Sequence, residues 1–180
     1  ALEYDPQVHT TLNAQRLVQT VFGQSAPDST NPLLAIPESA ARVAVARLGG
    51  GSGPIVGIHP SGGRAIKQWD TDRFAHVASR LVNERRARIL LTGGPSDRPL
   101  VDRVKAELPS GSVVDVSDEN DLLVLAALIG RLDLFITGDT GPMHLAASVG
   151  TPVVAVFGPS DPARYAPPGA ANRIVRVDLP

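Results

Sequence analysis

The chain has 180 residues, of which 43% are hydrophobic, and this is enough for one domain with a sizeable core. Seventeen basic and eighteen acidic residues give a net charge of −1, and aromatic residues make up 4%, which argues against nucleic acid as a partner. The absence of cysteine excludes disulfides and thiolate metal sites.

The compartment and the extent of the chain are expectations at this point. The sequence contains no apolar run long enough for a membrane span, and its first residues lack the basic-then-apolar order of a signal peptide. These features predict a soluble, cytoplasmic protein. Because the first residue is not Met, we expect the chain to be a fragment of a longer protein.

Two helices and two connecting segments are predicted before the first strand. Residues 8–22 and 38–48 have helical patterns, and residues 26–32 form a polar linker. The glycine run at 49–53 follows a helix and precedes a strand, which is the reverse of the order in a phosphate loop, and it lacks a Gly-Lys-Ser/Thr ending. It is therefore interpreted as a flexible connector.

The remainder alternates between strand and helix patterns. Five short apolar runs predict strands, at residues 55–58, 89–92, 113–116, 134–137 and 153–157. The segments between them are too long for hairpins, and they carry apolar residues at helical spacing. This alternation predicts an α/β fold with a doubly wound, mainly parallel, Rossmann-like sheet covered by helices on both faces.

Polar segments follow four of the five predicted strands. The segment 59–69 follows the first strand, contains small residues that permit close backbone approach, and ends near Lys67, which can place a compact charge on a phosphate. The segment 93–97 follows the second, and Asp97 can cap a helix or accept hydrogen bonds from ribose. Residues 117–121 form a polar rim after the third. Ligands of open parallel sheets bind beyond these strand ends.

The segment after the fourth strand is the most informative. A helix beginning near Thr140 or Gly141 would direct backbone N–H groups and its positive dipole end at an anion, for which phosphate is the natural candidate. Asp139 beside a phosphate would be repelled, so we expect it to face sugar hydroxyls or the N–H groups of its own helix. Thr140, Gly141 and Lys67 would then face the phosphates, and His144 would complete the pocket.

Several of these residues also have purely structural interpretations. His59, at a strand end before proline, is more typical of a structural than of a catalytic residue, and Trp69 is interpreted as a core anchor. Asp97 and Asp121, each taken alone, are typical helix N-caps. His144 is equally compatible with packing and with ligand binding. The convergence of polar segments on one edge of the sheet favours a binding site there.

Three blocks of the sequence resemble glycosyltransferase family 9, best known through the ADP-heptose:lipopolysaccharide heptosyltransferases. Residues 59–63 with Lys67-Gln68-Trp69 are similar to the family's His-Pro-Gly-containing loop, and residues 91–95 to its second glycine turn. Residues 139–147, followed by 150–159, resemble the family signature almost residue for residue.

The resemblance implies that the chain is the carboxyl-terminal, donor-binding half of a GT-B enzyme, with a connector and edge helices at 1–53 and a nucleotide-sugar-binding domain at 54–180. It implies that Lys67 contacts the pyrophosphate and stabilises the leaving group, that Asp97 contacts ribose, and that Asn120 lies near the base. The segment 117–121 departs from the family's Thr-Ser-Leu pattern, and Asp97 stands where the family often has glutamate. The implied donor-binding residues are Ser61, Gly62, Lys67, Asp97, Asn120, Asp139, Thr140, Gly141 and His144.

The resemblance further implies an inverting transfer from a nucleotide-sugar, such as ADP-heptose, in lipopolysaccharide or related glycan assembly. The lipid-linked or glycan acceptor and the general base would belong to an amino-terminal domain, so no catalytic base is expected in this fragment, and the fragment alone should be inactive. No cofactor and no metal are expected, because no Asp-x-Asp motif or histidine–carboxylate cluster follows a strand. The parent would be cytoplasmic, and peripheral at the inner membrane through its acceptor.

Three alternatives remain open. The chain could be a non-catalytic nucleotide-sensing module, or part of a nucleotide-sugar epimerase. Asp139-Thr140-Gly141 also matches the motif of aspartic proteases, but their fold is nearly all strand, unlike the β/α alternation here.

Overall fold

The computed structural model describes residues 4–23 and 34–176, so the predicted linker at 26–32 lies outside the described residues. The helices are α1 (Thr10–Phe22), α2 (Glu38–Leu48), α3 (Thr71–Arg85), α4 (Arg98–Ala106), α5 (Leu122–Ile129), α6 (Gly141–Ser148) and α7 (Pro162–Tyr165). The strands are β1 (Ile55–His59), β2 (Arg88–Leu91), β3 (Val113–Asp115), β4 (Leu134–Gly138), β5 (Val153–Phe157) and β6 (Arg173–Arg176). Short 3-10 helices lie at Ala65–Lys67 and Pro95–Asp97.

The strands form one parallel sheet in the order β3-β2-β1-β4-β5-β6. The chain runs outward from β1 through β2 to β3 and then returns, so that β4 pairs with the other side of β1. The strand order therefore reverses between β1 and β4. This arrangement confirms the predicted doubly wound, Rossmann-like fold, and the reversal is the point at which such sheets bind ligands.

The structure adds a strand that the sequence analysis missed and adjusts the predicted ends of others. Strand β6 is short and exposed and has the sequence Arg-Ile-Val-Arg, in which two apolar residues give too weak a signal for a strand. It is an edge strand, and its arginines are typical of edges that must not pair with other chains. Strand β3 ends at Asp115, and α1 begins at Thr10, so both predicted elements were slightly too long.

Two hydrophobic clusters cover the two faces of the sheet. One contains α5, which is apolar on nearly every side and is covered by α2 through Ala40, Ala44 and Leu48. The other contains the buried faces of α3 and α4, including Phe74. Trp69 packs edge-on against Phe74 with ring centroids 4.7 Å apart, which confirms that it is a core anchor. The division into domains at residue 53 stays a prediction.

Helix α1 is hydrogen-bonded to the sheet domain through its amino-terminal end. His9 Nε2 lies 2.9 Å from the carbonyl oxygen of Ala166, and Thr10 Oγ1 donates to the carbonyl oxygen of Arg164. None of its own residues is buried, and an apolar stripe along it is exposed at Leu12, Leu17, Val18, Val21 and Phe22.

Within residues 4–23 and 34–176, no helix is long and apolar enough to cross a membrane.

His59 connects the ends of β1 and β2 inside the protein. Its Nδ1 lies 3.1 Å from Thr92 Oγ1, and both side chains are buried, which supports the structural interpretation of this histidine. Burial lowers the pKa of the His59 imidazole, and the nearby carboxylate of Asp97 only partly opposes that shift. Burial therefore favours the neutral form of His59 in the folded protein.

This burial predicts a loss of stability in mild acid. Unfolded histidine binds a proton near pH 6.5, whereas the folded state resists protonation, so the stabilisation is present above about pH 6.5 and is lost as the pH falls below it. In urea titrations across this range, His59→Asn should reduce the slope of the free energy of unfolding against pH. His76→Asn, at an exposed position on α3, is the matched control and should keep it. An unchanged slope in His59→Asn would contradict the assignment.

Candidate functional site

The candidate site lies where the sheet reverses its order. The ends of β1 and β4 are neighbours, with His59 opposite Thr137, and the segments that follow them meet above this edge. The predicted polar segments follow the sheet order, with residues 117–121 after β3, 93–97 after β2, 59–69 after β1, and 139–144 after β4. The site therefore extends along one edge of the sheet, and we call this edge the crevice, since open parallel sheets bind their ligands there.

The segment after β1 folds tightly over the end of β4. A Cβ added to Gly62 would lie 2.7 Å from the backbone of Gln68, so only glycine fits there. A Cβ added to Gly138, at the end of β4, would lie 3.7 Å from the carbonyl oxygen of Ser61. Both predicted residues, Ser61 and Gly62, are buried in this contact. The close packing brings backbone groups to the floor of the crevice.

Gln68 holds this segment in place, a role that the sequence analysis missed. Its Oε1 accepts a 2.6 Å hydrogen bond from the N–H of Gly62, and its Nε2 donates to the carbonyl oxygen of Pro60. The side chain thus satisfies two backbone groups that would otherwise lack partners in the turn. Gln68 follows Lys67 in the sequence, but only the folded turn brings its side chain to the backbone of Gly62 and Pro60.

The ion pair between Lys67 and Asp139 occupies the centre of the crevice. Lys67 Nζ donates to Asp139 Oδ2 at 2.6 Å, and the two side chains are 28% and 7% exposed. Asp139 therefore faces a hydrogen-bond donor, as expected, but the donor is the ammonium group of Lys67. The alternative in which Asp139 caps its own helix is not observed, because a buried carboxylate is held more favourably by an opposite charge, and the expectation that it faces sugar hydroxyls stays a prediction.

Helix α6 begins at Gly141, within the predicted range, and points its amino terminus at the same crevice. Thr140 is the N-cap residue, and its Oγ1 lies 3.0 Å from Thr137 Oγ1. Among the described residues, no side chain caps the first turn of α6. A Cβ at Gly141 would meet nothing within 4 Å, so the approach to this helix end is open. The helix terminus and Lys67 together make the crevice favourable for an anion.

His144 lies one turn into α6, and its residue is exposed to solvent. Burial lowers the pKa of its imidazole, the nearby Asp139 opposes this shift, and His9 adds to it. The neutral ring can both donate and accept hydrogen bonds at neutral pH. The structure thus brings Lys67, Asp139, Thr140, Gly141 and His144 into one neighbourhood.

Asp97 and Asn120 lie further along the edge, toward β2 and β3. Asp97 Oδ2 accepts from the N–H of Gly94 at 2.8 Å, so it caps the 3-10 turn rather than α4 itself. Asn120 is exposed, and its Nδ2 donates to the carbonyl oxygen of Asp118. Asp121 caps α5 through the N–H groups of the residues that follow it, as predicted. Neither Asp97 nor Asn120 contacts Lys67 directly.

The segment after β3 is tied to the rest of the protein by Arg47 of α2, which the sequence analysis did not single out. Arg47 donates to Asp118 Oδ1 at 2.5 Å and to Glu119 Oε2 at 2.8 Å. The guanidinium holds the pKa of the Asp118 carboxyl below its usual range.

Within the described ranges, no group of three or more His, Cys, Asp or Glu residues could hold a metal ion.

Comparisons with known proteins identify relatives of this chain. Lipopolysaccharide heptosyltransferase 3 of Escherichia coli K12 is 35% identical over 106 residues, which are 58% of this chain and 30% of that protein. The lipopolysaccharide core heptosyltransferase OpsX of Haemophilus influenzae is 30% identical over 122 residues, or 67% of this chain and 35% of that protein. The chain thus spans about a third of the length of the curated relatives it matches.

Solved structures give the same picture. A family 9 glycosyltransferase from Veillonella parvula has a TM-score of 0.83 and 26% identity, and the match covers 99% of this chain and 52% of that one. ADP-heptose lps heptosyltransferase II of E. coli has a TM-score of 0.73 and 25% identity, and the match covers 83% of this chain and 46% of that one. The model of glycosyltransferase family 9 (heptosyltransferase) matches residues 5–180, and the chain belongs to this family.

Proposed function

We propose that this chain is the donor-binding half of an inverting GT-B glycosyltransferase and that its crevice holds the diphosphate of a nucleotide-sugar, an ADP-sugar such as ADP-heptose. The observation that carries the proposal is the Lys67–Asp139 pair beside the open amino terminus of α6. The E. coli relative at 25% identity is named for ADP-heptose, which supports the choice of donor.

The geometry of Lys67 suits a diphosphate. An ammonium group has three N–H donors, and one of them is directed at Asp139 Oδ2. The remaining donors are available to phosphate oxygens, while the carboxylate keeps Nζ at a fixed position. The backbone N–H groups at the start of α6 offer further donors, and their dipole favours negative charge.

The order of the strands then gives the donor a direction. Asp97 and Asn120 follow β2 and β3, on one side of the diphosphate, where we assign the ribose and the base. The transferred sugar would then extend in the opposite direction, toward β5. There Oδ1 of Asp139 and the neutral ring of His144 can accept hydrogen bonds from its hydroxyl groups.

These groups would act on the leaving group. In the proposed reaction an acceptor hydroxyl oxygen attacks the anomeric carbon, a general base outside this chain removes its proton, and the bond to the nucleoside diphosphate breaks. Negative charge then grows on the diphosphate, and Lys67 and the helix terminus lie where they stabilise it. No metal is needed for this step, because the cationic side chain supplies the charge.

The amino-terminal half that we propose would carry the acceptor and the base. This chain spans about half of the solved relatives, which leaves room for such a domain. The exposed apolar stripe on α1 supports it, since a stripe of this size normally marks a contact surface. By similarity to lipopolysaccharide heptosyltransferases, we assign the parent to lipopolysaccharide or related glycan assembly, on the cytoplasmic side of the inner membrane.

Calorimetry with ADP and with ADP-heptose tests the assignment of the crevice. Replacing Lys67 by Met should weaken both ligands by about 1.5–3 kcal/mol, the range for losing hydrogen bonds to a charged group. Asp139→Asn should mainly weaken ADP-heptose, because it removes a strong hydrogen-bond acceptor for the sugar. It should affect ADP less, because it also removes a negative charge that repels the diphosphate.

The chain offers a matched control. Its only other lysine is Lys105, whose Nζ lies 2.9 Å from Asp115 Oδ2 at the outer strand β3, and Lys105→Met should weaken both ligands far less than Lys67→Met. Equal loss of ADP in Asp139→Asn and Lys67→Met would mean that Asp139 acts only by orienting the lysine. Unchanged ADP affinity in Lys67→Met would contradict the proposed diphosphate site.

A second experiment concerns turnover and metals. We expect the purified chain to bind ADP without transferring sugar, and the full-length parent to release nucleoside diphosphate from the nucleotide-sugar in the presence of a chelator. A parent that binds the donor but releases nothing would favour the non-catalytic sensing module. Loss of activity on chelation with rescue by magnesium would show that Lys67 and α6 do not suffice.

A further inference from the structure

A group of charges joins helix α2 to the segment after β3, and the proposed function does not use it. Arg47, near the carboxyl end of α2, donates through Nη1 to Glu119 Oε2 at 2.8 Å and through Nη2 to Asp118 Oδ1 at 2.5 Å. Helix α2 belongs to the predicted connector, whereas the two carboxylates lie at the edge of the crevice. One guanidinium thus links the connector to the crevice.

The contact with Glu119 is the stronger of the two. The Glu119 side chain is 12% exposed, whereas that of Asp118 is 73% exposed, and ion pairs of exposed carboxylates contribute little because water screens them. A largely buried carboxylate that loses its cation is, in contrast, strongly unfavourable. The position of Glu119 therefore depends on Arg47, and Asp118 adds a weaker second contact.

Helix α2 gives Arg47 a rigid base. Ala40, Ala44 and Leu48 lie on one face of α2, are buried, and belong to the same hydrophobic cluster as α5. The distance between two packed helices depends on the side chains at their contact, and the two alanines allow α2 to approach α5 closely. Because Leu48 anchors the last turn of α2, the backbone of Arg47 is fixed beside the segment that it holds.

The residues around Asn120 pass this constraint on to it. Glu119 Oε1 accepts a 2.8 Å hydrogen bond from the N–H of Asp121, and Asn120 Nδ2 donates to the carbonyl oxygen of Asp118 at 3.0 Å. In the part of the chain that the structure describes, the hydrogen bonds that join residues 118–120 to residues outside 116–121 come from Arg47. The place of Asn120 is thus set by the same guanidinium.

We propose that Arg47 is a positioning residue for the nucleoside of the donor: its ion pairs hold residues 118–120 and so keep Asn120 where the base binds. This role rests on the proposed function, which assigns the base to the end of β3. A segment that is already held does not have to be ordered when the nucleotide binds, and an ordering cost is subtracted from affinity. The diphosphate, assigned to Lys67 and α6, does not depend on Arg47.

Calorimetry with ADP and with inorganic pyrophosphate tests this role, because pyrophosphate lacks the nucleoside. Arg47→Met should weaken ADP by about two- to ten-fold, which corresponds to the cost of ordering one side chain, and should leave pyrophosphate unchanged. Lys67→Met should weaken both ligands. Arg42→Met is the matched control on the same helix, since Arg42 pairs only with the exposed Glu38, and it should change neither affinity.

A double-mutant cycle separates positioning from general stabilisation. Asn120→Ala should also weaken ADP but not pyrophosphate, and adding Arg47→Met to it should cause little further loss, because residues that act through one another are not additive. Where Arg47→Met does not fold, Glu119→Gln takes its place. It keeps an oxygen for the N–H of Asp121, removes the charge that Arg47 holds, and should give the same selective loss of ADP.

The remaining outcomes contradict the role of Arg47 or the proposed function, and they can be told apart. Unchanged ADP affinity in Arg47→Met or in Asn120→Ala would overturn the positioning role, as would equal losses of ADP and pyrophosphate in Arg47→Met. Fully additive losses in the cycle would show that Arg47 does not act through Asn120. Failure of the unaltered chain to bind ADP or pyrophosphate would instead contradict the proposed diphosphate site.

Discussion

The ion pair between Lys67 and Asp139 is the interaction on which the candidate site depends. It joins the segment after β1 to the segment after β4 at the one place where the sheet reverses its order. Removing either partner would leave a charge in a poorly hydrated crevice, which is strongly unfavourable. Because the pair lies beside the open end of α6, the interaction that stabilises the crevice also fixes an ammonium group where a diphosphate would bind.

Glycines allow this arrangement. Gly62, Gly138 and Gly158 lie where backbone segments after β1, β4 and β5 approach each other, and a side chain at Gly62 would collide with the backbone of Gln68. The sheet then arranges the polar segments in a line, with Asp97 and Asn120 on one side of the ion pair between Lys67 and Asp139 and the segment after β5 on the other. In the proposed function, this order places the nucleoside and the transferred sugar on opposite sides of the diphosphate.

Much of the fold follows from local sequence patterns. Apolar runs and helical spacing gave five of the six strands, and the helix after β4 begins at Gly141 as predicted, because a glycine-containing turn between two apolar segments is a local signal. Strand β6 gave no such signal, since its pairing with β5 and not its composition makes it a strand. The partners of side chains were harder to predict. Asp139 is far from Lys67 in the sequence, and only the adjacency of β1 and β4 brings them within 2.6 Å.

The most direct test of the central claim is a crystal structure of the chain with ADP. We expect diphosphate oxygens at hydrogen-bond distance, about 3 Å, from Lys67 Nζ and from the backbone N–H groups at the start of α6, with the adenosine directed toward Asp97. Lys67 should remain in contact with Asp139. A diphosphate bound away from Lys67 and α6 would contradict this assignment.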